Sequence, residues 1–240
     1  MHVDRYRAAL ADAMGFDVAR FDEPGISVVS GEDRRGERQV SHYRVGEHSV
    51  VWTDPEVLGE LEPWNSHGAA LSFGQFRVWA LEHGAERIGA GYEHVLGTFA
   101  APERPEQVRL LDGHDDAVVR MAAELFDACS DADREAADFD PGALDEHLAG
   151  RIDDERLTAL AGGRPFASRP GFHDIGALVL PEARRQGHGR HVVAAVVESV
   201  LAVGHLPLYR CPIDHEGSWR LCRGLGFVPV AELEAFRWRG

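Results

Sequence analysis

Arg184-Arg185-Gln186-Gly187-His188-Gly189 sets two glycines one residue apart, directly behind a pair of arginines. That spacing suits anion binding. Glycines let a phosphate approach the backbone closely, and the arginines add positive charge. Ile175 to Leu180 is an apolar run short enough for a strand. Pro181 stops further pairing because it has no N–H, and His191 to Val203 is a nearly all-apolar helical segment. A strand, a glycine turn and a helix start in that order aim unpartnered amides and the positive end of the helix dipole at one point. A simple tight turn is the plain alternative.

The elements that must hold this stretch can be read in chain order. Residues 2 to 14 carry Val3, Tyr6, Leu10 and Met14 at helical spacing, with Gly15 as the stop. Ile26 to Ser30 reads as a strand, and Val40 to Arg44 with Ser49 to Thr53 as a hairpin around Gly46. Asp54-Pro55 is a helix start. Residues 65 to 92 are apolar but broken by five glycines, so helix and strand both stay open. Residues 101 to 105, Ala-Pro-Glu-Arg-Pro, read as a linker. Beyond it, Val108 to Leu111 is a strand and Asp115 to Cys129 a helix, followed by an acidic loop over 130 to 142 and a helix over Gly142 to Ile152. Gly162-Gly163, flanked by Arg156 to Ala161 and Pro165 to Ser168, gives a hairpin signal. Pro207 to Ile213 is a strand, Gly217 to Gly224 a short helix, and Phe227 to Trp238 one or two closing strands. This order implies an α/β fold, a mixed sheet with helices on both faces, over 106–240, behind an N-terminal α+β region over 1–105.

Composition narrows the function classes. A net charge of -15 argues against a nucleic-acid partner. No apolar run approaches the ~18 residues of a membrane span, and the first residues carry no apolar signal region, so a cytoplasmic location is the default. Three cysteines with no CxxC fit a reducing compartment rather than a disulfide scaffold. Although there are 13 histidines, no HExxH or His/Cys quartet appears, so no metal is expected. Every basic residue is Arg, and from Gly163 onward Arg outnumbers Asp plus Glu, which puts the locally basic surface beside the glycine loop.

Residues 108 to 240 resemble a complete domain of the GNAT superfamily of acyl-CoA-dependent N-acyltransferases. Three motifs carry the resemblance. Arg184-x-x-Gly187-x-Gly189 is similar to the superfamily's diphosphate loop. Leu178-Val-Leu-Pro-Glu-Ala-Arg-Arg185 is similar to its run-in, and Ser218-Trp-Arg-Leu-Cys-Arg-Gly-Leu-Gly226-Phe227 to its closing helix. The resemblance implies acetyl-CoA as acyl donor, with its pantetheine along Ala177, Leu178 and Val179. The diphosphate would then lie on the amides of Arg185, Gln186, Gly187, His188, Gly189 and Arg190, with Arg184, Arg185 and Arg190 offsetting charge. Asp174 stands where relatives often carry a Glu base. Being one methylene shorter, it would work through a water relay, and His173 beside it is the alternate base. Cys222 stands where relatives often use a Tyr acid; a buried core thiol is the competing role. His215 and Ser218 would touch the donor.

Residues 131 to 155 are rich in Asp and Glu, including Asp131, Asp133, Glu135, Asp138 and Asp140. In the superfamily such a segment borders the acceptor, and acid there would attract an amine; a solvated acidic surface is the alternative. The first 105 residues could cap the acceptor cleft, form a degenerate second copy of the fold or build a homodimer interface. The leading expectation is an N-acetyltransferase acting on a primary amine of a small molecule or peptide. A non-catalytic acyl-CoA-binding or sensor module comes second, and an interaction domain that binds no CoA third.

Overall fold

The computed structural model of the chain describes residues 2–61, 72–138, 144 and 146–239. It divides into two compact units, residues 1–94 with 211–215 and 229–240, and residues 95–210 with 216–228.

The first unit opens on helix α1 (His2–Met14), which buries Tyr6, Leu10 and Met14 of the face its spacing predicts but leaves Val3 exposed. Strands β1 (Gly25–Ser30), β2 (Gln39–Val45) and β3 (His48–Thr53) follow. β2 and β3 make the expected hairpin, closing at Val45↔His48. Asp54 starts a 3-10 segment, Pro55–Leu61, rather than an α-helix; its Oδ1 accepts from the Glu56 N–H at 2.9 Å. The ambiguous stretch resolves into helix α2 (Phe73–Glu82) and strand β4 (Ala85–Leu96), while its residues 65–71 lie outside the described residues. Ser72 and Gln75 form a capping box that fixes where α2 begins. With the last strand, β10 (Phe227–Trp238), the strand order is β1-β3-β2-β10-β4. Val40, Val51, Phe76 and Phe236 fill the core of this unit. His42 is fully buried there, its ring stacked on Phe73 at 4.3 Å and neither nitrogen hydrogen-bonded among the described residues. Burial, with Arg44 second, pushes this imidazole down to about 3.

The second unit carries strand β5 (Val108–Leu111), helices α3 (Asp116–Asp127) and α4 (Asp131–Ala137), and strands β6 (His147–Asp153), β7 (Arg156–Pro165) and β8 (Phe172–Val179). Helix α5 (His188–Ala202), strand β9 (Leu206–Pro212) and helix α6 (Glu216–Gly224) complete it. Its strand order is β9-β8-β7-β6-β5, antiparallel throughout except for the parallel pair β8–β9. Helices cover both faces, as the α/β reading requires. Leu125 and Phe126 of α3 pack with Leu160 and Leu178 on one face. On the other, a Cβ at Gly163 would meet Ile175, Val196 and Val200 at 3.0 to 3.2 Å.

Three local expectations are corrected here. The acidic stretch after Ser130 is not all loop: α4 occupies Asp131–Ala137, because Ser130 and Asp133 make a capping box and acid favours a helix N-terminus. The helix expected over Gly142 to Ile152 is strand from His147 onward; residues 139–143 and 145, Asp140 among them, lie outside the described residues. Gly162-Gly163 is no hairpin turn but the middle of β7, where lack of a side chain lets α5 sit close. The hairpin turn falls instead at Asp154-Glu155, with φ of 47° and 62°.

Candidate functional site

The two ends of β8 present different chemistry. At its C-terminal end, Pro181–Ala183 forms a short 3-10 turn that leads into Arg184, and α5 begins at His188. Arg185 and Gly187 both adopt left-handed backbone, φ 62° and 82°, which turns successive amides toward one side. No side chain caps α5. The first amide of this helix with a backbone acceptor is that of His191, donating to Gly187 O at 3.2 Å. The N–H groups of His188, Gly189 and Arg190 come before it and point out of the helix end. A Cβ on Gly189 would meet Leu221 at 3.1 Å and Val179 at 3.3 Å, so only glycine lets α5 start this close to β8.

Charge around this loop comes from arginine. Arg184, Arg185 and Arg190 are exposed. Arg184 already pairs with Asp133 at 2.9 Å and donates to Val179 O at 3.2 Å. Arg190 reaches Ala100 O at 3.5 Å, and Arg185 makes no ion pair among the described residues. Gln186 donates to Glu182 O at 3.1 Å, which braces the turn. His188 and His191 are pushed below the ordinary imidazole value, by burial first and the Arg151 guanidinium next. At neutral pH the positive potential therefore belongs to the arginines and the helix dipole. This cradle offers open amides and positive charge to an anion.

The strand leading to the loop forks. β8 and β9 pair only at Phe172↔Leu206, His173↔Pro207 and Asp174↔Leu208. Beyond that, β8 continues through Ile175 to Val179, paired on its other side with β7. Ala177, Leu178 and Val179 therefore carry a strand edge with no strand partner on the β9 side among the described residues, ending at the amide cradle. An extended chain bearing amides can pair there as an added strand.

At the root of the fork, Asp174 and His173 face opposite ways, as alternation along a strand demands. Asp174 is nearly buried. Its Oδ2 accepts from Arg210 Nε at 3.0 Å and from an Arg210 terminal nitrogen at 2.5 Å, and Arg164 lies 3.7 Å away. Both arginines also bond Asp138, at the end of α4, Arg210 at 2.8 Å. The Arg210 guanidinium lies over the Phe166 ring, 5.3 Å from its centroid. His173, on the α5 side, is bonded to His205. The two sequence-predicted base candidates thus do not share one site.

Cys222 is fully buried, and its thiol donates to Trp219 O at 3.3 Å within its own helix. Ser218 donates to the Tyr209 hydroxyl at 3.2 Å; Tyr209 itself is nearly buried and packs on Phe227. His215 is exposed in the turn after β9 and belongs to the first unit. Sequence reasoning missed Arg210, Arg164 and Tyr209. Arg210 and Tyr209 lay inside a correctly expected strand, but nothing local marks them; only the parallel pairing with β8 brings Arg210 to Asp174.

No family model matches the chain, and no curated protein matches it. Solved structures do. A GCN5-related N-acetyltransferase from Sphaerobacter thermophilus matches 95% of this chain and 89% of its own, at 17% identity and TM-score 0.53. An acetyltransferase of the GNAT family from Colwellia psychrerythraea matches 79% of this chain and 76% of its own, at 15% identity and TM-score 0.52. A third, a GNAT-family acetyltransferase from Novosphingobium aromaticivorans, matches 65% and 69% at 19% identity and TM-score 0.51. The chain has the GNAT fold, and the first of these likenesses extends through most of the N-terminal 105 residues. Among the described residues no helix is long and apolar enough to cross a membrane.

Proposed function

We propose that this chain is an N-acyltransferase that moves an acetyl or other acyl group from acyl-CoA directly to a primary amine of a small molecule or peptide. The observation that carries this reading is the β8–β9 fork running onto the open amides of residues 185–190. The donor supplies an activated acyl thioester. The edge of Ala177, Leu178 and Val179 aligns the pantetheine arm, and the amides with Arg185 and Arg190 hold the diphosphate. Arg184 joins them on leaving Asp133.

An alkyl amine, with a pKa near 10 by analogy with Lys, must lose a proton before attack. Asp174 uses Oδ2 to hold Arg210 and keeps Oδ1 to accept this proton through a bridging water, which passes it on. Tyr209, braced by Ser218, is better oriented than Cys222 to protonate the departing thiolate, since the Cys222 proton is directed at Trp219 O. A phenol near pKa 10 against a thiol near 8.5 makes that step only slightly uphill. A second reading, an acyl-CoA-binding module without turnover, is favoured by the engagement of Asp174 with Arg210 and the burial of Cys222.

Thiol release from acetyl-CoA across a panel of amines separates the two. The transferase reading predicts release with at least one amine and its loss in Tyr209→Phe. A panel with no release, alongside saturable donor binding, would favour the binding module.

A further inference from the structure

A second chemical feature lies at the root of the fork, on the α5 side. His173 Nε2 and His205 Nδ1 are 2.8 Å apart, and their rings stack with centroids 4.9 Å apart. His173 Nδ1 is 3.3 Å from Gly163 O. A carbonyl only accepts, so Nδ1 of His173 carries the hydrogen, and in the neutral ring Nε2 must be the acceptor. His205 Nδ1–H is then the donor. The direction of the bond is fixed by the backbone of β7. One added proton leaves the bond intact whichever ring carries it, because the neutral ring can present a bare nitrogen; only two added protons place hydrogens on both facing nitrogens.

The position of the pair gives this consequence. His173 pairs with Pro207 in the three-residue parallel register, and His205 directly precedes β9. The Leu206 N–H donates to Gly171 O at 2.9 Å beside it. Around the pair, His147 of β6 packs edge-on to His173 at 4.8 Å and bonds Ser199 of α5 at 2.8 Å. The nearby acids are Glu146, which opposes the downward shifts of His147 and His173, and Glu198, which is tied to Arg104. Asp174 lies on the other face. His173 is nearly buried and His205 exposed.

We propose that His173 and His205 form a proton-operated clasp at the root of the β8–β9 fork, closed while at least one ring is neutral and released when both rings are protonated. Two cations in contact lose the hydrogen bond and repel, and the short parallel register has few other bonds to hold it. The clasp does not rest on the acyl-transfer reading. Burial already disfavours the His173 cation, so release belongs below the ordinary imidazole range.

The test is amide exchange followed from pH 7 to about pH 5 in the full chain carrying His42→Leu, which removes the acid-linked loss of global stability, corrected for intrinsic rates, with ring nitrogen shifts of labelled histidine. Protection of Leu206 and Leu208 should fall about tenfold, the factor one charge-assisted hydrogen bond carries, while Leu160 in β7 holds. In His205→Asn the side-chain amide takes the place of Nδ1–H and does not titrate, so protection should stay flat. His173 should appear as the Nδ1–H tautomer at pH 7. An Nε2–H tautomer, no fall, an equal fall at Leu160, or the same fall in His205→Asn would each overturn the clasp. These readouts need no acetyl-CoA, so they stand apart from any failure of donor binding.

Discussion

The two ends of β8 are built on opposite terms. At the C-terminal end, backbone N–H groups of the α5 start have no acceptor among the described residues, and arginines stand exposed around them. At the N-terminal end, Asp174 is held by Arg210, Asp138 is shared by two arginines, and His173 is bonded on both nitrogens. One end is preorganised for an anion: its amides need no internal bond broken to receive it, and only Arg184 must leave Asp133 to join them. The other must exchange an internal contact for a substrate contact. Donor binding should therefore be strong and tolerant of changes around Asp174, whereas turnover should depend on the ionic cluster.

The largest expected effect is at the open end. Gly187→Val forces a branched side chain into left-handed backbone and disturbs the amide cradle. We expect at least about a hundredfold weaker acetyl-CoA binding, the loss of two charge-assisted hydrogen bonds, and no donor-induced rise in melting temperature. Unchanged affinity would remove the distinction between the ends.

Next is the crowded end. Arg210→Ala leaves the nearly buried Asp174 with only the more distant Arg164. Stability should drop by about 2 kcal/mol, below the range for a fully buried pair because Arg210 is itself partly exposed. Denaturant melts check this, and the paired change Asp174→Asn should recover part of the loss. Donor affinity should move little in either variant.

Acid titrations of the two ends must be separated from His42. The folded chain keeps His42 neutral down to about 3, while the unfolded chain takes a proton near 6.5. Stability is therefore unaffected above that upper value and falls as pH drops through the window. By pH 5 the loss should be about 2 kcal/mol. His42→Leu should flatten this slope, whatever it does to stability at pH 7; melts across pH decide.

The smallest effect belongs to Arg184. Asp133→Asn keeps a side chain able to cap α4 but weakens the Arg184 pair. Donor affinity should rise by about twofold to threefold, the scale of one partly exposed ion pair. Titration calorimetry would register it, and a fall in affinity would mean that Asp133 orients Arg184 rather than diverts it.

What was legible in the sequence follows the same division. The open end is local: Pro181, the glycine pair and the apolar helix lie within a short stretch, and each has one conformational meaning. The crowded end is assembled from Arg164, Asp174 and Arg210, which meet only through sheet pairing, and from Asp138 at the end of α4. Asp174 could be singled out by position, but not the arginines that occupy it. Gly162-Gly163 misled because the same absence of a side chain serves a turn and close helix packing; only Ile175, Val196 and Val200 decide between them. The acidic run hid α4 because capping by Ser130 and Asp133 outweighed its lack of apolar spacing.

The central claim is that the amide cradle at the C-terminal end of β8 takes an acyl-CoA. Calorimetric titration of the full chain with acetyl-CoA tests it most directly, repeated in the presence of the adenosine 3′-phosphate 5′-diphosphate portion alone. The account predicts saturable binding in the wild-type chain, competition by the diphosphate fragment, and loss of both in Gly187→Val. No binding at millimolar acetyl-CoA, or binding that Gly187→Val leaves intact, would contradict it.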